Sequence, residues 1–223
     1  MTSGIWPDIV AHGALIWQDL LQHVELVFIS VAIGCLIAIP VGIWLTRHTR
    51  AAEVVITITG LIQTVPSLAL LAFVLPILGV GLAPSLSALA LYALLPILRN
   101  TYVGIRAVPG PTVECAIAMG MSRTQALTRV ELPLAMPVIV AGVRLSTVYL
   151  ISWAVLAALI GGGGLGVLIL EGLSTYDFGL IIAGAVPAAL LAILAGFGLG
   201  WLQKALTPRG IRELATGGRG GAA

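Results

Sequence analysis

Apolar residues run along the chain in long blocks, separated by short polar or glycine-rich breaks. A helix rising about 1.5 Å per residue needs about 20 apolar residues to cross a ~30 Å hydrocarbon core. Residues 24–45 meet that need once. Residues 54–98 are almost continuously apolar, but a single helix of that length would reach about 68 Å. The block is therefore expected to fold into two spans, with its turn at 79–85, "GVGLAPS", where glycine and proline gather. Residues 134–160 supply a fourth span and 178–202 a fifth. Between these two lie "GGGG" (161–164), "LGVLIL" and "EGLSTYD". The apolar piece there is too short to cross, which predicts a loop or re-entrant turn.

Composition agrees with the block lengths. Of the 223 residues 59% are hydrophobic and only 9% are charged, and the mean hydropathy is +1.11. Soluble domains keep roughly a quarter of their residues charged, so the pattern describes an all-α integral membrane protein. A net charge of +2 is too small to point to nucleic acid. The two cysteines, Cys35 and Cys115, fall in an apolar run and a charged stretch, which does not suggest a disulfide framework. The first 22 residues carry no Lys or Arg, so no secretory n-region is expected.

The placement of positive charge orients the spans. Arg47 and Arg50 follow the first span; Arg99, Arg106, Arg123 and Arg129 lie between the third and fourth; Lys204, Arg209, Arg212 and Arg219 follow the fifth. Ten of the 11 basic residues thus fall on one side, and Arg144 is the exception. The positive-inside rule makes that side cytoplasmic. Five spans then put the N-terminus outside and the C-terminus inside. The expected organisation is an extracytoplasmic tail (1–23), a transmembrane domain (24–206) and a cytoplasmic tail (207–223) with a disordered "TGGRGGAA" end.

Two spans carry small residues four apart: Ser30, Gly34, Ala38 and Gly42 in the first, and Gly184, Ala188, Ala192, Gly196 and Gly200 in the fifth. Such ridges let helix backbones approach closely in lipid, either within the protomer or at a dimer seam. Gln63, Thr64 and Pro66 interrupt the second span, where a proline frees a carbonyl that needs a partner. A broken helix is a common place for a gate or a solute contact; plain kink packing is the alternative. Arg99 and Asn100 end the third span, the arginine in a position to snorkel. Arg144, roughly 16 Å along a helix from Pro133, is a buried charge with either a pore-facing or a carbonyl-bonding role. Phe73, Tyr92, Tyr149 and Trp153 either line a path or pack the core.

One stretch between the apolar blocks cannot sit in hydrocarbon: "ECAIAMGMSRTQALTRVELP", residues 114–133. Helix-forming residues flank Gly120, and Ser122 stands as an N-cap for the second half. Pro133 is expected to start the next span, where a missing N–H costs little. The prediction is a helix–turn–helix on the cytoplasmic face, residues 112–132. Its spacing resembles the EAA loop of ABC-importer permeases: Glu-Ala-Ala, three residues, Gly, nine residues, Ile, one residue, Leu-Pro. Glu114, Ala116, Gly120, Leu132 and Pro133 match that pattern, while Cys115 replaces an alanine and Val130 an isoleucine. The resemblance implies a type I ABC-importer permease core and a coupling helix that docks on a separate ATPase. Glu114, Cys115, Ala116, Gly120, Arg123, Leu132 and Pro133 would make the contact, hinge and transmission. No G-x-x-x-x-G-K-[ST] occurs, and the run 161–164 lacks the lysine and hydroxyl that phosphate and magnesium require. No cofactor is expected in this chain; ATP and magnesium belong to the partner ATPase.

Residues 61–81, 91–105 and 156–166 are similar to the osmoprotectant branch of these permeases, for glycine betaine, carnitine, choline and proline betaine, and the likeness spans about 24–210. It implies an extracytoplasmic solute-binding protein, a second permease chain, identical or homologous, and the bacterial inner membrane. No carboxylate ring or arginine cluster stands in the spans to dehydrate an inorganic ion. A weakly polar path suits a compact zwitterion or quaternary amine, with Gln63, Thr64, Pro66, Asn100 and Arg144 as candidates for the path or its gate. Methionine, another amino acid or an organic sulfonate is the alternative cargo. An ion-coupled carrier would need membrane carboxylates that this chain lacks. His12, His23 and His48 do not cluster as an enzyme site would require.

Overall fold

A computed structural model describes residues 13–207, all helical apart from short connections. Helix α1 runs Gly13–Leu45, α2 Thr49–Thr64, α3 Ser67–Leu78 and α4 Leu82–Arg106. Two short helices follow, α5 Gly110–Ala118 and α6 Arg123–Ala126, then α7 Leu132–Ala157, α8 Gly166–Thr175 and α9 Phe178–Leu206. Residues 1–12 and the tail from 208, with Arg209, Arg212, Arg219 and His12, lie outside the described residues.

The core forms where α4 packs between α1 and α7, and α9 closes against α7 and α8. Leu26, Leu45, Ile97 and Leu150 are buried there almost completely. The first small-residue ridge explains the closeness of α1 and α4. A Cβ on Gly34 would stand 2.7 Å from the Ala93 methyl, and one on Gly42 would stand 2.8 Å from Thr101. Ser30, Gly34, Ala38 and Gly42 are all buried within this one chain. Gly184 meets α8 the same way, its Cβ position 2.8 Å from the Leu165 carbonyl. Both ridges therefore join helices of this chain, the first of the two expectations.

Two elements differ from the sequence expectation, the start of α1 and the segment 166–175, and two others meet it with added local detail. Helix α1 starts at Gly13, inside the stretch expected to be tail, because Trp17, Leu20 and Leu21 continue its helical pattern past Gln18, Asp19 and Gln22. The break expected at Pro66 is present and sharp: α2 and α3 meet at Val65–Pro66 with a bend of 99°. The segment 166–175 is a helix rather than a loop, closed by Tyr176 in the left-handed region and by Asp177 N–H donating to the Gly172 carbonyl at 2.8 Å. Finally, Pro133 stands in the first turn of α7 as expected, but α7 is not a separate helix. The chain is helical without a break over Arg123–Ile160, and the missing N–H is absorbed by a π-helical turn, Leu127–Glu131, in which Leu132 N–H reaches the Leu127 carbonyl. Widening one turn makes room for the proline ring where an α-helix would bring it against a carbonyl. The expected turn at 79–85 tightens to Gly79 and Gly81, both at positive φ, before α4 starts at Leu82.

Candidate functional site

Two sets of residues singled out in the sequence come together separately. The first is the charged hairpin. Helix α5 ends as Gly120 turns to φ +90°, with its N–H donating to the Ile117 carbonyl at 2.9 Å. An L side chain is strained at that φ, which is why the position takes glycine. Ser122 then caps α6 with a reciprocal capping box: its Oγ accepts from Gln125 N–H at 3.2 Å, and its own N–H donates to Gln125 Oε1 at 2.8 Å. Such a cap contributes about 1 kcal/mol to the helix end it closes. Ala116 and Ala126 are buried, whereas Glu114, Cys115, Gly120 and Arg123 are exposed. Ile117 and Met119 are 43% and 74% exposed, an apolar tip on a polar hairpin. Cys115 is exposed, so its replacement of the motif's alanine disturbs no packing.

The root of the hairpin is fixed. Arg47, after α1, pairs with Glu131 of the π-turn at 3.6 Å. Above that pair a recess of about 290 Å³ opens, lined also by Thr46, Arg106, Val113 and Glu114. Leu127 and Leu132 pack beside Ile105, Ala135 and Ile139. The motif's leucine thus seats the hairpin on α4 and α7, while Pro133, exposed, sits beside the widened turn.

The second set surrounds the bend. Pro96 in α4 offers no N–H to the Tyr92 carbonyl four residues back. Gln63 fills the vacancy, its Nε2 donating to that carbonyl at 3.2 Å. Tyr92 reciprocates with its hydroxyl, donating at 2.7 Å to the carbonyl of Val65, the residue before Pro66. Two prolines and two hydrogen bonds thus lock the break in the α2–α3 pair to α4. On the open side of this lock lies a chamber of about 440 Å³, lined by Gln63, Pro96, Arg99, Asn100, Leu145 and Tyr149. Asn100 Nδ2 donates to the Pro96 carbonyl at 2.8 Å, which fixes the amide.

Of the five path candidates, the structure brings Gln63 and Asn100 into this chamber. Thr64 turns back on its own helix, donating to the Leu61 carbonyl at 2.7 Å, and Pro66 makes the bend. Arg144 stands elsewhere. It lines a separate recess with Val148, Ala192 and Gly196, and its guanidinium lies against Gly200 of α9. Residues 145 and 149 point into the chamber and 144 and 148 toward α9, a division by helix face that spacing along α7 carries but span assignment alone does not use. Phe73 is exposed on α3, while Tyr92 and Trp153 form a ring pair at 4.3 Å beneath Tyr149. Sequence reasoning missed Arg99 as a chamber residue and Tyr92 as the lock; the signal for the latter was Pro96, four positions after it.

Comparison with known proteins identifies the family. The carnitine transport permease protein of Listeria monocytogenes is 49% identical over 88% of this chain and 90% of its own length. The choline transport system permease protein of Bacillus subtilis is 49% identical over 91% of this chain and 93% of its own. The osmoprotectant import permease protein of Salmonella typhimurium is 40% identical over 86% and 91%. Among solved structures, the MetNI methionine ABC transporter in an inward-facing conformation superposes with a TM-score of 0.74 at 22% identity, over 93% of this chain and all of the matched one. An amino acid ABC transporter solved with histidines gives 0.75 at 20% identity, over 92% and 99%. The fold is thus that of type I ABC-importer permeases, and the family model for the binding-protein-dependent transport system inner membrane component matches residues 38–212. The chain belongs to that family: it is an inner-membrane permease component and not itself an enzyme.

Proposed function

We propose that this chain is the permease subunit of an ATP-driven importer for osmoprotectants such as glycine betaine, carnitine, choline or proline betaine. The printed functions of the relatives, carnitine, choline and osmoprotectant import, support the cargo class. Among the described residues four helices are long and apolar enough to cross a membrane, and the bent α2–α3 pair makes a fifth span when counted as one. The side bearing Arg47, Arg50, Arg106, Arg123 and Arg129 is cytoplasmic by the positive-inside rule.

One observation carries the mechanism: the exposed hairpin hinged at Gly120 runs without interruption into a membrane helix, Arg123–Ile160. Cytoplasmic ATPase subunits grip residues 112–132 through the exposed Glu114, Cys115 and the Ile117–Met119 tip, while Ala116, expected as a contact, is buried and packs the hairpin on itself. ATP and magnesium would be held by those subunits and would supply the energy for their closure; on this chain's side, closure displaces the hairpin about Gly120. Leu132 and Pro133 pass the displacement to α7, whose chamber face carries Leu145 and Tyr149. Two permease chains, identical or homologous, frame one path, and an extracytoplasmic binding protein delivers the solute. The chamber, about 440 Å³, lies within the about 300–1,000 Å³ range of small-molecule sites, and its lining is polar at Gln63, Arg99, Asn100 and Tyr149.

The exposed Cys115 thiol gives a direct test. In the isolated permease it should react with a maleimide, and in the complex with its ATPase it should be protected. Equal labelling in both, or labelling from the outside of intact cells, would refute the docking surface. Reconstituted complex should take up labelled betaines only with ATP present.

A further inference from the structure

We propose that Arg99 is the specificity residue of the solute chamber, and that it selects quaternary amines bearing a carboxylate, glycine betaine and carnitine, over choline, which bears none. The inference rests on the reading above that the chamber lines the path. Arg99 sits seven residues before Arg106 on α4, roughly 10 Å further along the helix. Arg106 already supplies the basic end of that helix, so an interfacial anchor does not require a second arginine at this depth. A guanidinium in a membrane segment is costly unless it meets water or a counter-charge. Arg99 is exposed into the chamber, and among the described residues it has no ion pair and no hydrogen bond. Among the described residues no Asp or Glu lines the chamber.

The rest of the chamber is built around that charge. Gln63 and Asn100 each commit an amide N–H to a backbone carbonyl, so they stand as fixed, uncharged walls. Tyr149 faces the same space, 45% exposed, with its ring 5.9 Å from Trp153, which in turn packs on Tyr92. An aromatic face attracts a quaternary ammonium, and a guanidinium pairs a carboxylate in a two-pronged fork. The chamber thus has one pole for each end of a zwitterion. Choline would meet the aromatic pole but bring a positive charge beside Arg99 with nothing to offset it. An inorganic anion or a sulfonate without an ammonium would use only the arginine.

The test uses the complete complex, with its ATPase and binding protein, in liposomes, and measures ATP-driven uptake of labelled glycine betaine, carnitine and choline for wild type, Arg99→Gln and Arg99→Lys. Loss of one charge-assisted pair predicts that Arg99→Gln lowers betaine and carnitine uptake by about tenfold or more. Choline uptake should stay at or above the wild-type value, ATP hydrolysis stimulated by loaded binding protein should persist, and Arg99→Lys should recover part of the loss. The assignment is overturned if Arg99→Gln carries betaines normally, if it depresses betaines and choline alike, or if the wild type carries choline and neither zwitterion. Should Arg99→Gln fail to assemble, the betaine-to-choline uptake ratio of Arg99→Lys decides: it must fall, because an ammonium cannot reproduce the fork, and an unchanged ratio refutes the proposal. Wild-type uptake of none of the three sinks the osmoprotectant reading itself, and this inference with it.

Discussion

Two bends that need glycine, the single Gly120 and the run 161–164, use it in opposite ways. At Gly120 on the hairpin, a side chain would meet nothing within 4 Å; only φ +90° demands glycine. In the run 161–164 the same positive φ recurs at Gly161, Gly163 and Gly164, but every position is also crowded. A Cβ on Gly162 would stand against Ser85 Oγ and 2.9 Å from the Ala157 carbonyl, and one on Gly164 3.0 Å from His23 Nδ1. Partners reinforce the crowding. Gly164 N–H donates to Gln22 Oε1 at 3.1 Å, His23 Nε2 donates to the Ile151 carbonyl at 3.0 Å, and Gly81 N–H donates to the Ile160 carbonyl at 2.7 Å. The loop 161–164 binds α1, α4 and α7 at one end of the bundle, whereas Gly120 stands alone at the other. One glycine site resists movement and the other permits it.

That contrast can be broken by substitution. The largest effect on folding is expected from Gly162→Val, which forces side-chain atoms onto Ser85 and the Ala157 carbonyl. Overpacking of this kind costs about 1–3 kcal/mol, and melting in detergent should shift down by several degrees with loss of assembled complex. Gly120→Val strains only the local turn, by about 1–2 kcal/mol. Because Gly120 is exposed with nothing within 4 Å, that strain relaxes by local fraying of the hairpin, and Tm should fall less than in Gly162→Val while ATP hydrolysis continues and uptake is lost. Equal Tm losses in the two variants would erase the distinction between them. The smallest effect is expected from Ser122→Ala. It removes one cap, about 1 kcal/mol, and should reduce uptake without abolishing it or lowering the Tm measurably; uptake as low as in Gly120→Val would show that the cap, not the glycine, is the critical element.

Features signalled by adjacent residues were legible in the sequence. Gly120 followed by Ser122 announced a left-handed stop and a cap, and both are present. Pro66 announced a broken helix, and the break is there. What could not be read was anything decided across the fold. The start of α1 was hidden because Gln22 and His23 look like tail until their partners at Gly164 and Ile151 are known, the latter 128 residues away. The 99° bend depends on Gln63 finding the carbonyl that Pro96 leaves open. Arg144 appeared as a path residue because depth can be counted along a helix while its facing cannot; α9 claims it instead. The π-turn was missed because Pro133 signals a helix start and an absorbed proline equally well.

The uninterrupted helix Arg123–Ile160 contains 38 residues, about 57 Å from end to end. Its far end carries the carbonyl that holds Gly81, and its near end is the capped edge of the hairpin. A shaft of this kind has no backlash: torque applied at Arg123 has one compliant segment to pass, the widened turn at Leu127–Glu131, before it reaches the opposite face.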